Sequence, residues 1–246
     1  MKGIFYSVTA LMLLLLVVSY LVLYSNTVEK RDKEIVRRLI GNKLESFSTS
    51  VDADIKRALE LYARRSMGNA VSHVVYIGSP LDDSNLRLQE LFTSNSIYGN
   101  KAPVTSSVYE WRNKIVEKGK QLGFEVDINF TSVEFAPYDS FNVIVHAIAV
   151  VNITYGSTNL YRIYNESTIV PIEDYEDPLY ALNTRGFVRN TIVKSPFTVT
   201  NVIYLDNLSL GRLYIASESG ASFFDRLEGR LLLSEKYKSK SSSIIG

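Results

Sequence analysis

Cysteine is absent from this chain, and histidine occurs only twice. Without a thiol there is no disulfide framework, zinc ribbon, iron–sulfur ligation or thiol catalysis. A charge excess of either sign is missing too: 27 Lys and Arg stand against 26 Asp and Glu, for a net charge of +1. No basic field exists to hold nucleic acid, so none is expected as a partner. The 46% hydrophobic and 22% charged shares exclude a disordered, collagen-like or rod-shaped coiled-coil chain.

The motifs of common catalytic sites are also missing. There is no H-E-x-x-H, G-x-S-x-G, Walker A or G-x-G-x-x-G. His73 lies in VSHVVYIG and His146 alternates with Val145 and Ala147 in an apolar run, so both are expected to be packing residues. Glu173, Asp174, Glu176 and Asp177 cluster around Tyr175 ahead of Pro178, without the glycine and spacing of an EF-hand loop. A solvated turn is expected there. Asp82 and Asp83 read as the start of a helix, where carboxylates favour the positive end of the dipole. No catalytic residue, metal or cofactor is assigned, and the chain is expected not to be an enzyme.

What the sequence does have is a long apolar block. Residues 4–24, IFYSVTALMLLLLVVSYLVLY, carry no charge. As a helix they span about 31 Å, the thickness of a bilayer's hydrocarbon core. Tyr6, Tyr20 and Tyr24 suit the headgroup regions. The block is too long for a secretory signal core, and Leu23-Tyr24-Ser25 is no A-x-A site, so a retained single-pass anchor is expected. Flanking charge alone places the large domain inside, with Lys2 before the span and Lys30, Arg31, Lys33, Arg37 and Arg38 after it. Absent cysteine, sixteen tyrosines, a β-rich second half and four sequons, at Asn129, Asn152, Asn165 and Asn207, point the other way. The expected place is the cell membrane with the C-terminal domain outside the cytoplasm, the four asparagines being candidate N-glycosylation acceptors.

Residues 25–67 read as a juxtamembrane helical stalk. From Asn26 to Met67 there are ten Lys or Arg against seven Asp or Glu, and no proline. Ile40, Leu44, Phe47, Val51, Ile55, Ala58 and Tyr62 recur about every 3.7 residues, which is helical spacing. The stripe packs either on the protein's own sheet, the favoured reading, or on neighbouring subunits. Ser46, Ser48 and Ser50, with Thr49-x-x-Asp52 as a capping box, mark a kink or break.

Residues 68–235 are expected to form an α+β domain. Leu88, Leu91 and Phe92 suggest a short helix. Ser107-x-x-Glu110 opens a second as a capping box, with Val108, Trp111, Ile115 and Leu122 on its apolar face and Gly123 as its stop. The period then falls to two at Phe124, Val126, Ile128 and Phe130, a half-buried strand. Residues 141–154 are apolar on both faces in their middle, a central strand, and 156–159 turn into a third strand over 160–172, giving an antiparallel meander. Weaker strand signals cover 187–193, 197–205, 212–216 and 230–233, and 236–246 reads as a flexible tail.

The start Met1-Lys2-Gly3, followed by Ile4-Phe5-Tyr6-Ser7 and an apolar helix, resembles the class III signal peptides of archaeal type IV pilin-like proteins. The resemblance implies that residues 1–3 are a cytoplasmic leader, that Lys2 and Gly3 precede a cleavage point, and that Ile4 becomes the first residue. It also implies a pilin-like fold, with an N-terminal transmembrane helix continuing into a long amphipathic helix, then short helices and an antiparallel sheet. DIKRALELYARR (54–65), EDPLYALNTRG (176–186) and SFFDRLEGRL (222–231) look like segments of archaeal membrane-anchored proteins of this general kind. Counting from Ile4, the fifth position is Val8, where many bacterial pilins carry Glu; this favours a minor subunit or an uncleaved anchor. The partners implied are the lipid bilayer and other pilin-like subunits or cell-envelope proteins. Two roles stay open: a structural, assembly or adhesion component, and a tethered ligand-binding or sensing ectodomain that does not polymerise.

Overall fold

The computed structural model describes residues 2–102, 107–156, 158–196, 211–218, 220–238 and 243–245, with the side chains of 2–10, 238 and 243–245 left aside. The chain is mixed helix and sheet: a long apolar N-terminal helix followed by an antiparallel sheet. It divides into two compact units, Met1–Thr49 and Ser50–Gly246.

Helix α1 runs over Lys2–Ile77. Neither proline nor glycine interrupts residues 4–40, so nothing local stops a helix there. The break expected near residues 46–50 does not occur. Thr49 turns its hydroxyl back onto the Glu45 carbonyl at 2.9 Å, a bond inside the helix in place of the expected cap. Gly78, at φ +71°, ends α1, and Pro80 follows.

In the first unit, residues 11–24 are exposed along their whole length. Helix α1 is long and apolar enough to cross a membrane, with a mean hydropathy of 2.0 over its most apolar 18 residues and none of that window buried. The charged turns beyond carry the i,i+4 pairs Lys33–Glu29 and Arg38–Glu34, both at 2.6 Å.

In the second unit, the rest of α1 supplies one wall of the core. Val51, Ile55, Ala58 and Tyr62 of the expected stripe are buried, and Leu59, Ala63, Met67, Ala70 and Val74 extend it. Opposite them lies a meander of β3 (Glu125–Asp139), β4 (Asn142–Tyr155) and β5 (Thr158–Pro171), in the order β3-β4-β5. Val143, Val145 and Ala147 of β4 join the α1 residues from Ala58 to Val74 in one core. Val126 and Ile128 are buried while Glu125, Asp127 and Asn129 are exposed, as the period-two pattern requires. A register shift between Phe130 and Ser132 makes Thr131 a bulge.

Helix α2 (Ser84–Ser94) starts where Asp83 accepts the Leu86 N–H at 3.1 Å and buries Leu88, Leu91 and Phe92. A two-residue ribbon, β1 (Ser96–Ile97) with β2 (Asn100–Lys101), follows it. Helix α3 (Val108–Gln121) departs from expectation at both ends. Ser107 makes no side-chain cap bond, and Leu122 is exposed instead of facing the core. Gly123 is the expected stop: at φ +86° only glycine is unstrained, and an added Cβ would meet the Tyr155 ring at 3.3 Å.

The last third is short pieces: α4 (Pro178–Asn183), β6 (Ile215–Ser217), α5 (Phe223–Leu227), α6 (Glu235–Lys238) and β7 (Ser243–Ile245). The weaker strand signals shrink to β6 and to the single bridges Glu176↔Thr191, Lys194↔Tyr214 and Gly220↔Leu232, because these stretches pack as loops. The strand expected over 197–205 and the sequon at Asn207 lie outside the described residues. Of the stretch expected as a flexible tail, residues 239–242 and 246 lie outside the described residues; Tyr237 is buried, and β7 pairs with β6, Ala216 opposite Ile244.

Candidate interaction surface

A β-strand sends alternate side chains to opposite faces, so the meander's inner apolar face dictates what the other face carries. On β4 that outer face is Ile144, His146, Ile148, Val150, Asn152 and Thr154; on β5 it is Asn159, Tyr161, Ile163, Asn165, Ser167 and Ile169. None of these twelve is Lys, Arg, Asp or Glu. Ile163 is 61% exposed, Tyr161 59% and Ile169 45%. The apolar members adjoin one another, Val150 opposite Ile163 and Ile144 opposite Ile169. A wet sheet face is normally polar, and an uncharged one with exposed isoleucine and tyrosine has the composition of a docking surface.

His146 differs from expectation: it sits on this outer face, exposed, between Glu134 of β3 and Ser167 of β5. The apolar neighbours that suggested burial belong to the other face. Three of the four sequons converge on this surface. Asn129 lies opposite Val150, Asn152 opposite Tyr161, and Asn165 opposite Ile148. In the Asn152 and Asn165 sequons the hydroxyl two residues on, Thr154 or Ser167, shares the face with its asparagine. The Asn152 Oδ1 atom is buried and has no hydrogen-bond partner.

Behind the sheet, two of the distinctive sequence segments meet in a buried ion pair. Asp177, expected in a solvated turn, has a fully buried side chain paired with Arg226. One carboxylate oxygen accepts the Leu179 N–H at 3.0 Å, capping α4; the other accepts the Tyr214 hydroxyl at 2.7 Å as well as the guanidinium. Asn190 donates to the Tyr214 oxygen at 2.9 Å. Burial, and then the Asp177 charge beside it, hold the Tyr214 hydroxyl far above the ordinary tyrosine range, so it remains a donor.

The rest of SFFDRLEGRL is used in the same way. Ser222 and Asp225 form a reciprocal capping box on α5. Glu228 accepts the Tyr237 hydroxyl at 2.6 Å and the Ser84 N–H at 2.9 Å, tying α6 and the start of α2 to α5. The third segment joins through Tyr175, whose hydroxyl donates to the Arg64 carbonyl at 2.8 Å and whose ring packs 3.5 Å from where a Gly68 Cβ would stand. Burial raises the Tyr175 hydroxyl to about 12.

This cluster fastens four short elements together; its acids and bases are consumed by one another. Sequence reasoning missed Arg226, Tyr214 and Asn190, because their partner lies far off in the chain and no period links them. The other acids disperse, with Glu176 pairing Arg189 at 3.4 Å and Asp174 at an exposed turn with φ 72°. His73 stacks 5.7 Å from the Tyr98 ring, and burial lowers its pKa. Among the described residues, no three His, Asp or Glu side chains gather in a form that would hold a metal ion. Lys2, Gly3 and Ile4 fall within α1. No family model, curated protein or solved structure matches the chain.

Proposed function

We propose that this protein is a single-pass membrane-anchored structural component that acts by docking: a pilin-like minor subunit, or a part of a surface or adhesion assembly, with its second unit outside the cytoplasm. The observation that carries the reading is the uncharged, wholly exposed helix over residues 11–24. About thirteen large apolar side chains in water would cost tens of kcal/mol relative to lipid. The uncharged outer face of β4 and β5 supports docking. Under this reading Lys2 and Gly3 form a leader that is removed before Ile4, and the role needs no catalytic step.

Alkaline-carbonate extraction tests the anchor: retention in the membrane pellet supports it, and release into the supernatant sinks it. Protease treatment of whole cells tests the orientation, with cleavage beyond residue 68 expected from outside. Intact mass of the extracted protein tests removal of residues 1–3. A second reading, a tethered ligand-binding ectodomain that does not polymerise, is supported by a groove beside β3.

A further inference from the structure

Residues 4–28 carry no charge, and the first ionised side chains beyond them crowd into Glu29–Arg38, where five cations stand against three carboxylates. All ten residues are exposed on α1. Two of the cations are neutralised within the helix, Lys33 by Glu29 and Arg38 by Glu34. Among the described residues, no carboxylate pairs with Lys30, Arg31 or Arg37, and no cation pairs with Asp32. The uncompensated charges are therefore three positive and one negative.

Height along the helix decides what these charges can meet. At the helical rise, Lys30 stands about 9 Å and Arg31 about 10 Å beyond Tyr24, where the apolar block ends. The headgroup layer on one side of a bilayer is about 5–8 Å deep, so long stems leaning back along the helix bring both cationic groups to the lipid phosphates. Arg37, about 20 Å beyond Tyr24, stands clear of that layer. Direction discriminates further. Arg31 lies about 100° round the helix from Lys30, and Asp32 about 160° from it. A partner docked on one side would face one of the two cations squarely, whereas lipid surrounds the helix at a single height and meets both. Asp32, at the same height, repels the same phosphates on the far side.

We propose that Lys30 and Arg31 bind the phosphates of anionic phospholipids in the leaflet at the Tyr24 end of the span, so that the anchor selects a lipid class. The proposal rests on the reading of residues 4–24 as a spanning helix and deepens it. A cation at the membrane surface favours anionic lipid about fivefold, and the effect fades within a Debye length of about 8 Å. Carbonate extraction reads the anchor independently. A pelleted parent without lipid preference overturns the lipid class alone, while a parent released by carbonate removes the anchor and the lipid class together.

The test uses the full chain in nanodiscs of phosphatidylcholine and phosphatidylglycerol in equal amounts, released into detergent at about 0.15 M salt. Native mass spectrometry counts the phospholipid that stays bound. Bound phosphatidylglycerol should exceed bound phosphatidylcholine by about fivefold or more. Lys30→Gln with Arg31→Gln should bring the ratio close to one, and the charge-preserving pair Lys30→Arg with Arg31→Lys should keep it. Arg37→Gln, an equal charge change farther out, should keep most of it. Asp32→Asn should raise it, a gain that damage to the fold cannot mimic. Soluble glycerol phosphate in excess should leave it unchanged. A parent without preference overturns the proposal, as do an undiminished ratio in the double glutamine variant, an equal loss in Arg37→Gln, or no gain in Asp32→Asn. Displacement by glycerol phosphate overturns it as well, because the site would then belong to a soluble anion.

Discussion

Asp177 and Arg226 stand 49 residues apart in sequence and form an ion pair with almost no solvent access, the carboxylate fully buried and the guanidinium side chain 6% exposed. A buried pair is weak evidence of net stabilisation, but breaking one leaves an uncompensated charge. Arg226→Ala and Asp177→Ala should each cost about 3–5 kcal/mol, read from urea denaturation midpoints. Tyr214→Phe should cost about 1–3 kcal/mol, because it strips one donor from Asp177 and leaves Asn190 without its acceptor. Arg189→Ala, which loses a half-exposed pair with Glu176 and a place 5.5 Å over the Tyr76 ring, should cost about 1 kcal/mol. Equal losses at Arg226 and Arg189 would contradict the burial of the pair.

Alkali should unfold the second unit earlier than its neutral-pH stability suggests. Unperturbed tyrosine titrates near 10.0, whereas burial raises Tyr175 to about 12 and also raises Tyr214 and Tyr237. Between those values the folded state holds protons that the unfolded chain has released, so stability is full below about pH 10 and falls as pH climbs towards 12. Urea midpoints across this range, followed with tyrosinate absorbance, should decline together. Tyr175→Phe should shallow the decline, at a cost of about 1 kcal/mol at neutral pH for the lost bond to Arg64. A flat midpoint up to pH 11 would falsify this account.

Leu14→Arg or Leu15→Arg should weaken insertion by about 3 kcal/mol. Both positions are exposed on α1, so the fold of the second unit should keep its circular dichroism. The measurement is the fraction of full-length protein left in the carbonate-washed pellet. Undiminished retention of the arginine variants would remove the case for a spanning helix.

The two faces of the meander should respond oppositely to substitution. Ile128, fully buried on β3, should lose about 2–5 kcal/mol on change to Ala. Ile163→Ser on the outer face should change stability by less than about 0.5 kcal/mol, yet abolish cross-linking of the protein to its neighbours in intact cells. Persistent cross-linking in the serine variant would move the docking surface elsewhere.

A glycan at Asn152 or Asn165 would stand in the middle of that same patch and exclude a docked partner. Intact mass of the cross-linked and uncross-linked fractions should therefore show any added sugar in the uncross-linked one. Sugar on both residues in the cross-linked fraction would refute docking through this face.

The sequence was most legible where a single period runs through one element. The stripe at Val51, Ile55, Ala58 and Tyr62 announced α1, and the alternation from Phe124 to Phe130 announced β3. Signals resting on one residue type were weaker: Ser107 makes no cap bond, and the three serines near residue 48 do not break α1. Helix propensity costs tenths of a kcal/mol per residue, which tertiary burial easily outweighs. His146 and Asp177 show a second limit. Each took its assignment from adjacent residues, while its surroundings were fixed by strand parity in one case and a distant arginine in the other. The uncharged outer face and the groove had no sequence signature, since both arise from what the fold leaves uncovered.

The buried pair also orders events in time. A chain made from its N-terminus completes β3, β4 and β5 as local hairpins, each strand meeting the one just made. Asp177 then emerges, and its guanidinium follows only 49 residues later. Until Arg226 arrives, an ionised Asp177 has no cation to pair with in the interior, and burying it unpaired is costly. Any machinery that holds this chain during synthesis therefore handles a paired meander whose core still lacks Ile192, Tyr214, Phe223, Phe224 and Leu227.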